Sequence, residues 1–83
     1  MLRVAVISPE RTLYDGEATS VVAPAFDGEV GILTNHAPMM TLLGRGTLRV
    51  EREGTEQRFT VAGGFLQVVH NQVRVVTEHA EQG

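Results

Sequence analysis

Apolar and polar residues alternate with a period of two along most of the 83-residue chain, and valine leads the apolar set. Branched side chains at alternate positions favour strands over helices. Leu2, Val4 and Val6 would share one face of a first strand, opposite Arg3, Ala5 and Ile7. Ser8-Pro9 ends it, because proline has no N–H to give to a ladder. Residues 12–14 predict a second short strand closed by an Asp15-Gly16 turn, and residues 18–23 a third that stops at Pro24. Residues 47–52 would turn Leu48 and Val50 inward against Arg49 and Glu51, with a tight Glu53-Gly54 hairpin turn and a returning strand over 57–61. Gly63-Gly64 marks a bulge or sharp bend. Residues 65–70 and 73–77 predict a last hairpin around Asn71-Gln72.

Turn signals recur roughly every 8–12 residues, and no window of about a dozen has helical spacing, so the pattern predicts an all-β sandwich or barrel. Roughly seven to ten short strands are expected from that spacing. The last residues, EHAEQG from Glu78, lack apolar spacing and are expected to begin a helix or fray. A chain of this length forms one domain. It is assigned as residues 1–83, with the sandwich in 1–78 and a short polar tail in 79–83.

Composition narrows the function classes. Apolar residues are 42% of the chain and charged residues 20%, the balance of a globular domain. All seven basic residues are arginines, dispersed among ten acidic ones for a net charge of −3. No basic stripe of the kind that tracks a phosphate backbone results, so no nucleic acid is expected as a partner. Without cysteine the fold is held by packing alone, which suits a reducing compartment. The opening MLRVAVISPE has no secretory-signal features, and no apolar run approaches the ~20 residues a membrane helix needs. Any membrane contact is therefore expected only through a partner.

The candidate chemistry is thin. His36, His70 and His79 show no metal-ligand spacing, so no metal is expected. Neither Ser8 nor Ser20 sits in a nucleophile turn. Asp27 and Glu29 could pair as carboxylates, but acid–base work also needs a pocket that shifts their pKa values. The glycines match no phosphate loop, and there is no lysine to reach a phosphate, so no cofactor is expected. A small hydrolase using Asp27, Glu29 and His36 is the weakest reading. A β module that presents surfaces to partners fits better.

One segment stands apart: DGEVGILTNHAPMMTLL, residues 27–43. Pro38 pushes Ala37 toward an extended conformation, so Asn35-His36-Ala37-Pro38 should form a rigid loop. Apolar Val30, Met39, Met40, Leu42 and Leu43 flank it, and adaptable methionine serves cores and contact surfaces alike.

The order VISPE (6–10), DGE (15–17), VVAP (21–24), DGEVGIL (27–33), NHAP (35–38), GTLRV (46–50), VAGGFLQV (61–68) and NQVRVVT (71–77) resembles the epsilon subunit family of F-type rotary ATP synthases, in its N-terminal β-sandwich domain. The resemblance implies a flattened sandwich of about ten short strands. It implies a non-catalytic central-stalk subunit that links the gamma subunit to the ring of c subunits and couples rotation to ATP synthesis. By residue-wise match, Asp27, Gly28, Glu29 and Val30 would meet the c ring, and Ser8, His36 and Thr41 would face gamma. His36 would then line an interface, with one ring nitrogen as donor. The location implied is peripheral, on the cytoplasmic face of the bacterial plasma membrane. Family members commonly continue into a C-terminal helical hairpin that can inhibit hydrolysis or bind ATP. Neither property is expected of residues 1–83 alone. The competing reading is an unrelated β-sandwich adaptor that binds a peptide along a sheet edge.

Overall fold

The computed structural model describes residues 1–83 and contains strands and turns but no helix. The strands are β1 (Leu2–Ile7), β2 (Thr12–Ala18), β3 (Ser20–Ala25), β4 (Gly28–Leu33), β5 (Met39–Leu42), β6 (Arg45–Arg52), β7 (Thr55–Val69) and β8 (Gln72–Gln82). They form one hydrogen-bonded sheet in the order β2-β1-β8-β7-β6-β3-β4, with β5 also paired to β7. β1 and β8 run parallel, and the other named pairs are antiparallel.

That sheet becomes a sandwich because its two longest strands belong to both layers. The first part of β7 pairs with β6 from Thr55 to Ala62, and the second pairs with β5 from Phe65 to Val68. Between them Gly63 and Gly64 have φ of 74° and 100°, values that glycine adopts without steric cost. β8 turns the corner alongside. One layer is then β2-β1-β8-β7-β5 and the other β8-β7-β6-β3-β4, which makes ten strand segments from eight continuous strands. The Tyr14 ring of β2 meets Phe59 of β7 edge-on at 6.4 Å, across the two layers.

The alternation read from the sequence is the one that packs. Leu2, Val4 and Val6 are fully buried, as are Leu48, Phe59, Val61, Leu66, Val68 and Val75, and together they form a single core drawn from both layers. Gly63-Gly64 is a bend rather than a bulge, since the β7–β8 register holds from Phe59↔Gln82 to Val69↔Gln72 without a slip. A Cβ on Gly64 would overlap the Val76 carbonyl oxygen and lie 2.7 Å from Thr77 Cα. Only glycine lets the two strands stay paired through the corner.

Four local expectations are corrected. Asp15-Gly16 is not a turn: β2 runs through it, with Asp15 opposite Ala5 and Gly16 opposite Val4. The strand is at a sheet edge, where Asp15 reaches solvent and pairs with Arg3 at 2.9 Å. Pro24 does not stop β3, which continues to Ala25. Its carbonyl accepts the Gly44 N–H at 2.8 Å, on the side where the β3–β6 ladder has already ended at Val22↔Arg49, so the missing N–H breaks nothing. The last hairpin turns at His70-Asn71, both with positive φ (49° and 61°), one residue earlier than expected. The segment from Glu78 neither frays nor coils: β8 continues to Gln82, with Ala80 opposite Val61. Its polarity reflects an edge position, where apolar spacing is not required.

Candidate assembly surfaces

The acidic-glycine segment forms the tip of the β3–β4 hairpin. Phe26 and Asp27 make the turn, and Asp27, Gly28 and Glu29 are exposed. Gly28 has φ 133° with open space around it. Val30 differs: it lies opposite buried Ala23 and packs against the core. The tip is seated on the β5–β6 corner by Phe26 N–H donating to the Leu42 carbonyl at 3.1 Å. Glu29 stands 3.7 Å from the Arg49 guanidinium, with 60% of its side chain exposed. Surface pairs of this kind contribute at most about 1 kcal/mol, so an outside donor can compete for Glu29.

Ser8, Thr41 and His36 do not converge on a point. Ser8 is 7% exposed, and its hydroxyl accepts the Arg11 N–H and faces the Arg11 carbonyl at 3.2 Å. It shapes the turn after β1. Thr41 lies opposite buried Leu66 on the inner row of β5 and is half-buried. His36 is half-buried in the loop between β4 and β5, beside the β7–β8 turn. In register, Ser8 follows the row Leu42–Phe65–Val76–Ile7, whereas His36 lies near the row that contains Val69 and Gln72. Those rows are about 13 Å apart at the usual strand rise. The three residues thus mark opposite ends and one edge of a single layer.

What they frame went unread in the sequence. Leu42, Phe65, Val76 and Ile7 are in register across β5, β7, β8 and β1, on the outer face. Leu42 is 63% exposed and Met40, on the same side of β5, 64%. Ile7, Pro9, Phe65 and Val76 line a groove of about 360 Å³ that is walled by Gly64 and Thr77. The signal was available as doublets. Val6-Ile7, Leu42-Leu43, Phe65-Leu66, Val68-Val69 and Val75-Val76 each place an apolar residue on both faces of a strand. A layer with one solvated face should alternate, and a layer covered on both faces need not.

The charged surface offers no comparable concentration. Arg3, Arg49, Arg52 and Arg58 each lie within 4 Å of a carboxylate, on Asp15, Glu29, Glu17 and Glu56 respectively. No group of three His, Cys, Asp or Glu side chains is arranged to hold a metal ion.

A sandwich with a second apolar face and a projecting acidic hairpin has two surfaces of the kind that assembly modules present. The chain belongs to the β-sandwich domain family of the ATP synthase delta/epsilon chain, whose family model matches residues 1–83. It is 44% identical over 82 residues to the ATP synthase epsilon chain of a Synechococcus strain, covering 99% of this chain and 60% of that one. The epsilon chain of Syntrophomonas wolfei is also 44% identical, over 79 residues, with 94% and 58% covered. The chain thus spans about 60% of the length of these curated relatives. The fold recurs in a chain of the Euglena gracilis mitochondrial ATP synthase OSCP/F1/c-ring structure, with a TM-score of 0.91 at 24% identity, covering 98% of this chain and 52% of that one. A chain of the Tetrahymena thermophila mitochondrial ATP synthase central stalk/c-ring structure gives 0.79 at 16%, covering 96% and 65%.

Proposed function

We propose that the chain is a non-catalytic subunit of the central stalk of a proton-translocating ATP synthase, joining gamma to the c ring so that both turn together. It is peripheral, meeting the membrane only through the ring at the cytoplasmic face of a bacterial plasma membrane. The observation that carries this reading, beyond family membership, is the apolar row Leu42–Phe65–Val76–Ile7 on a layer bounded by Ser8 and His36. Gamma docks there. The Cα outline of 27 × 24 Å, before side chains are added, approaches the ~800 Å² that each partner of a standard interface buries. The hairpin tip with Asp27, Gly28 and Glu29 is a separate, polar surface for the c-ring loops, with Val30 anchoring it to the core.

The direct test is sedimentation of the purified chain with its cognate gamma subunit. A 1:1 complex is expected, and two folded proteins that sediment independently would overturn the assignment. The ring surface is tested separately. Glu29→Arg should weaken assembly on isolated c rings by about 10-fold or more, through reversed charge at a desolvated contact. Thermal stability should change by no more than about 1 kcal/mol, since Glu29 is exposed and loses only its surface pair with Arg49. Equal ring binding by mutant and wild type would remove Glu29 from that junction.

A further inference from the structure

The Asn35-His36-Ala37-Pro38 loop is held more tightly than a connection requires. Asn35 N–H donates to Asn71 Oδ1 at 2.6 Å, and Asn71 Nδ2 donates back to Asn35 Oδ1 at 3.1 Å. The Asn71 carbonyl accepts the Arg3 amide at 2.8 Å, so one turn residue ties the loop to the start of β1. The His36 amide donates to the Leu33 carbonyl at 3.1 Å. These bonds fix where the imidazole stands.

They also fix which nitrogen is available. His36 Nδ1 lies 2.7 Å from the Ala37 carbonyl oxygen. A carbonyl can only accept, so in the neutral ring Nδ1 carries the proton and Nε2 is left as a lone-pair acceptor. Nε2 has no hydrogen-bond partner within the chain. His36 borders an open cleft of about 340 Å³, lined also by Asn35, Ala37, Pro38, His70 and Asn71.

We propose that His36 meets gamma as a hydrogen-bond acceptor through Nε2, and that the gamma group seated in this cleft is a donor such as a hydroxyl, an amide or an ammonium. The proposal rests on the docking reading above and reverses the donor role expected of His36 from the sequence. His70 is the other titratable group on the cleft, and no carboxylate lines it. Arg3, on the adjoining β1, turns its guanidinium to Asp15 on β2. Protonation of His36 removes the acceptor, and protonation of His70 adds a positive charge beside the donor.

The test is imidazole ¹⁵N spectroscopy on the labelled chain, alone and saturated with cognate gamma at pH 8. The Nδ1–H tautomer is expected in both states, with the Nε2 resonance moving to the shielded, hydrogen-bonded range in the complex. An Nε2–H tautomer or a doubly protonated ring in the complex overturns the proposal. Affinity supplies a second readout, in a His70→Gln background that isolates one imidazole. There His36→Phe, which keeps a ring but has no acceptor, should raise the Kd at pH 8 about 10-fold, the loss of roughly one hydrogen bond. Equal affinity of His36→Phe and its parent overturns the proposal as well. Gamma that binds neither protein instead sinks the stalk assignment, so the two failures are distinguishable.

Discussion

Gly64→Ala is expected to lower the unfolding free energy by about 3–5 kcal/mol, most of what a domain of this size holds. Two independent costs combine at this position. The backbone has φ 100°, where any Cβ is strained, and the added methyl would overlap the Val76 carbonyl across the β7–β8 ladder. Relief would require opening the ladder at the corner, where both strands pass from one layer to the other. Gly54→Ala separates the costs, since Gly54 has φ 84° but nothing within 4 Å of its added Cβ. That variant should lose only about 1–2 kcal/mol, the conformational part. Urea unfolding followed by far-UV circular dichroism measures both. Equal losses would mean that the corner yields and that contact with β8 is not what requires glycine at 64.

The same corner explains how far the sequence could be read. A strict period of two identified the inner rows, because Leu2, Val4 and Val6 or Leu48 and Val50 have only one core to face. Glu53-Gly54 was legible because both residues adopt positive φ in a two-residue hairpin turn, φ 50° and 84°. Asp15-Gly16 and Pro24 misled for a common reason: turn and breaker residues are tolerated wherever the neighbouring ladder is absent, and absence of a neighbour is a tertiary fact. The polar end of β8 misled likewise, since an edge segment paired on one side needs no apolar face. Gly63-Gly64 announced a break, but whether a glycine pair makes a bulge or a bend depends on register with a strand later in the chain.

The surfaces were legible in different degrees. The hairpin tip at Asp27, Gly28 and Glu29 stands out locally, as an acidic turn between two strand patterns. Ser8 is placed by the turn after β1, where its hydroxyl is engaged with Arg11. The outer apolar row could not be read as a row, since Leu42, Phe65, Val76 and Ile7 become neighbours only through three strand pairings. Its trace was the doublets, which look like ordinary core until the second face is found to be uncovered.

Leu42→Asp should leave the fold intact and weaken binding to gamma by about 2–4 kcal/mol, roughly 30- to 1000-fold in Kd. The side chain is 63% exposed, so its loss creates no cavity, and the carboxylate stays hydrated in the free chain. In the complex the same carboxylate would lie in the apolar row beside Phe65, directly opposite it in register, where desolvation without a partner is costly. Thr47→Asp is the matched control, because Thr47 is exposed on β6 in the other layer and outside the row. It should bind gamma like the wild type. Titration calorimetry reports the affinities, and melting curves for all three proteins verify the folds. If Leu42→Asp and Thr47→Asp bind equally well, gamma does not dock on the outer face of the first layer. If only Leu42→Asp fails while melting as the wild type does, the apolar row is where gamma docks, and the doublets that produced it are explained by the assembly rather than by the fold.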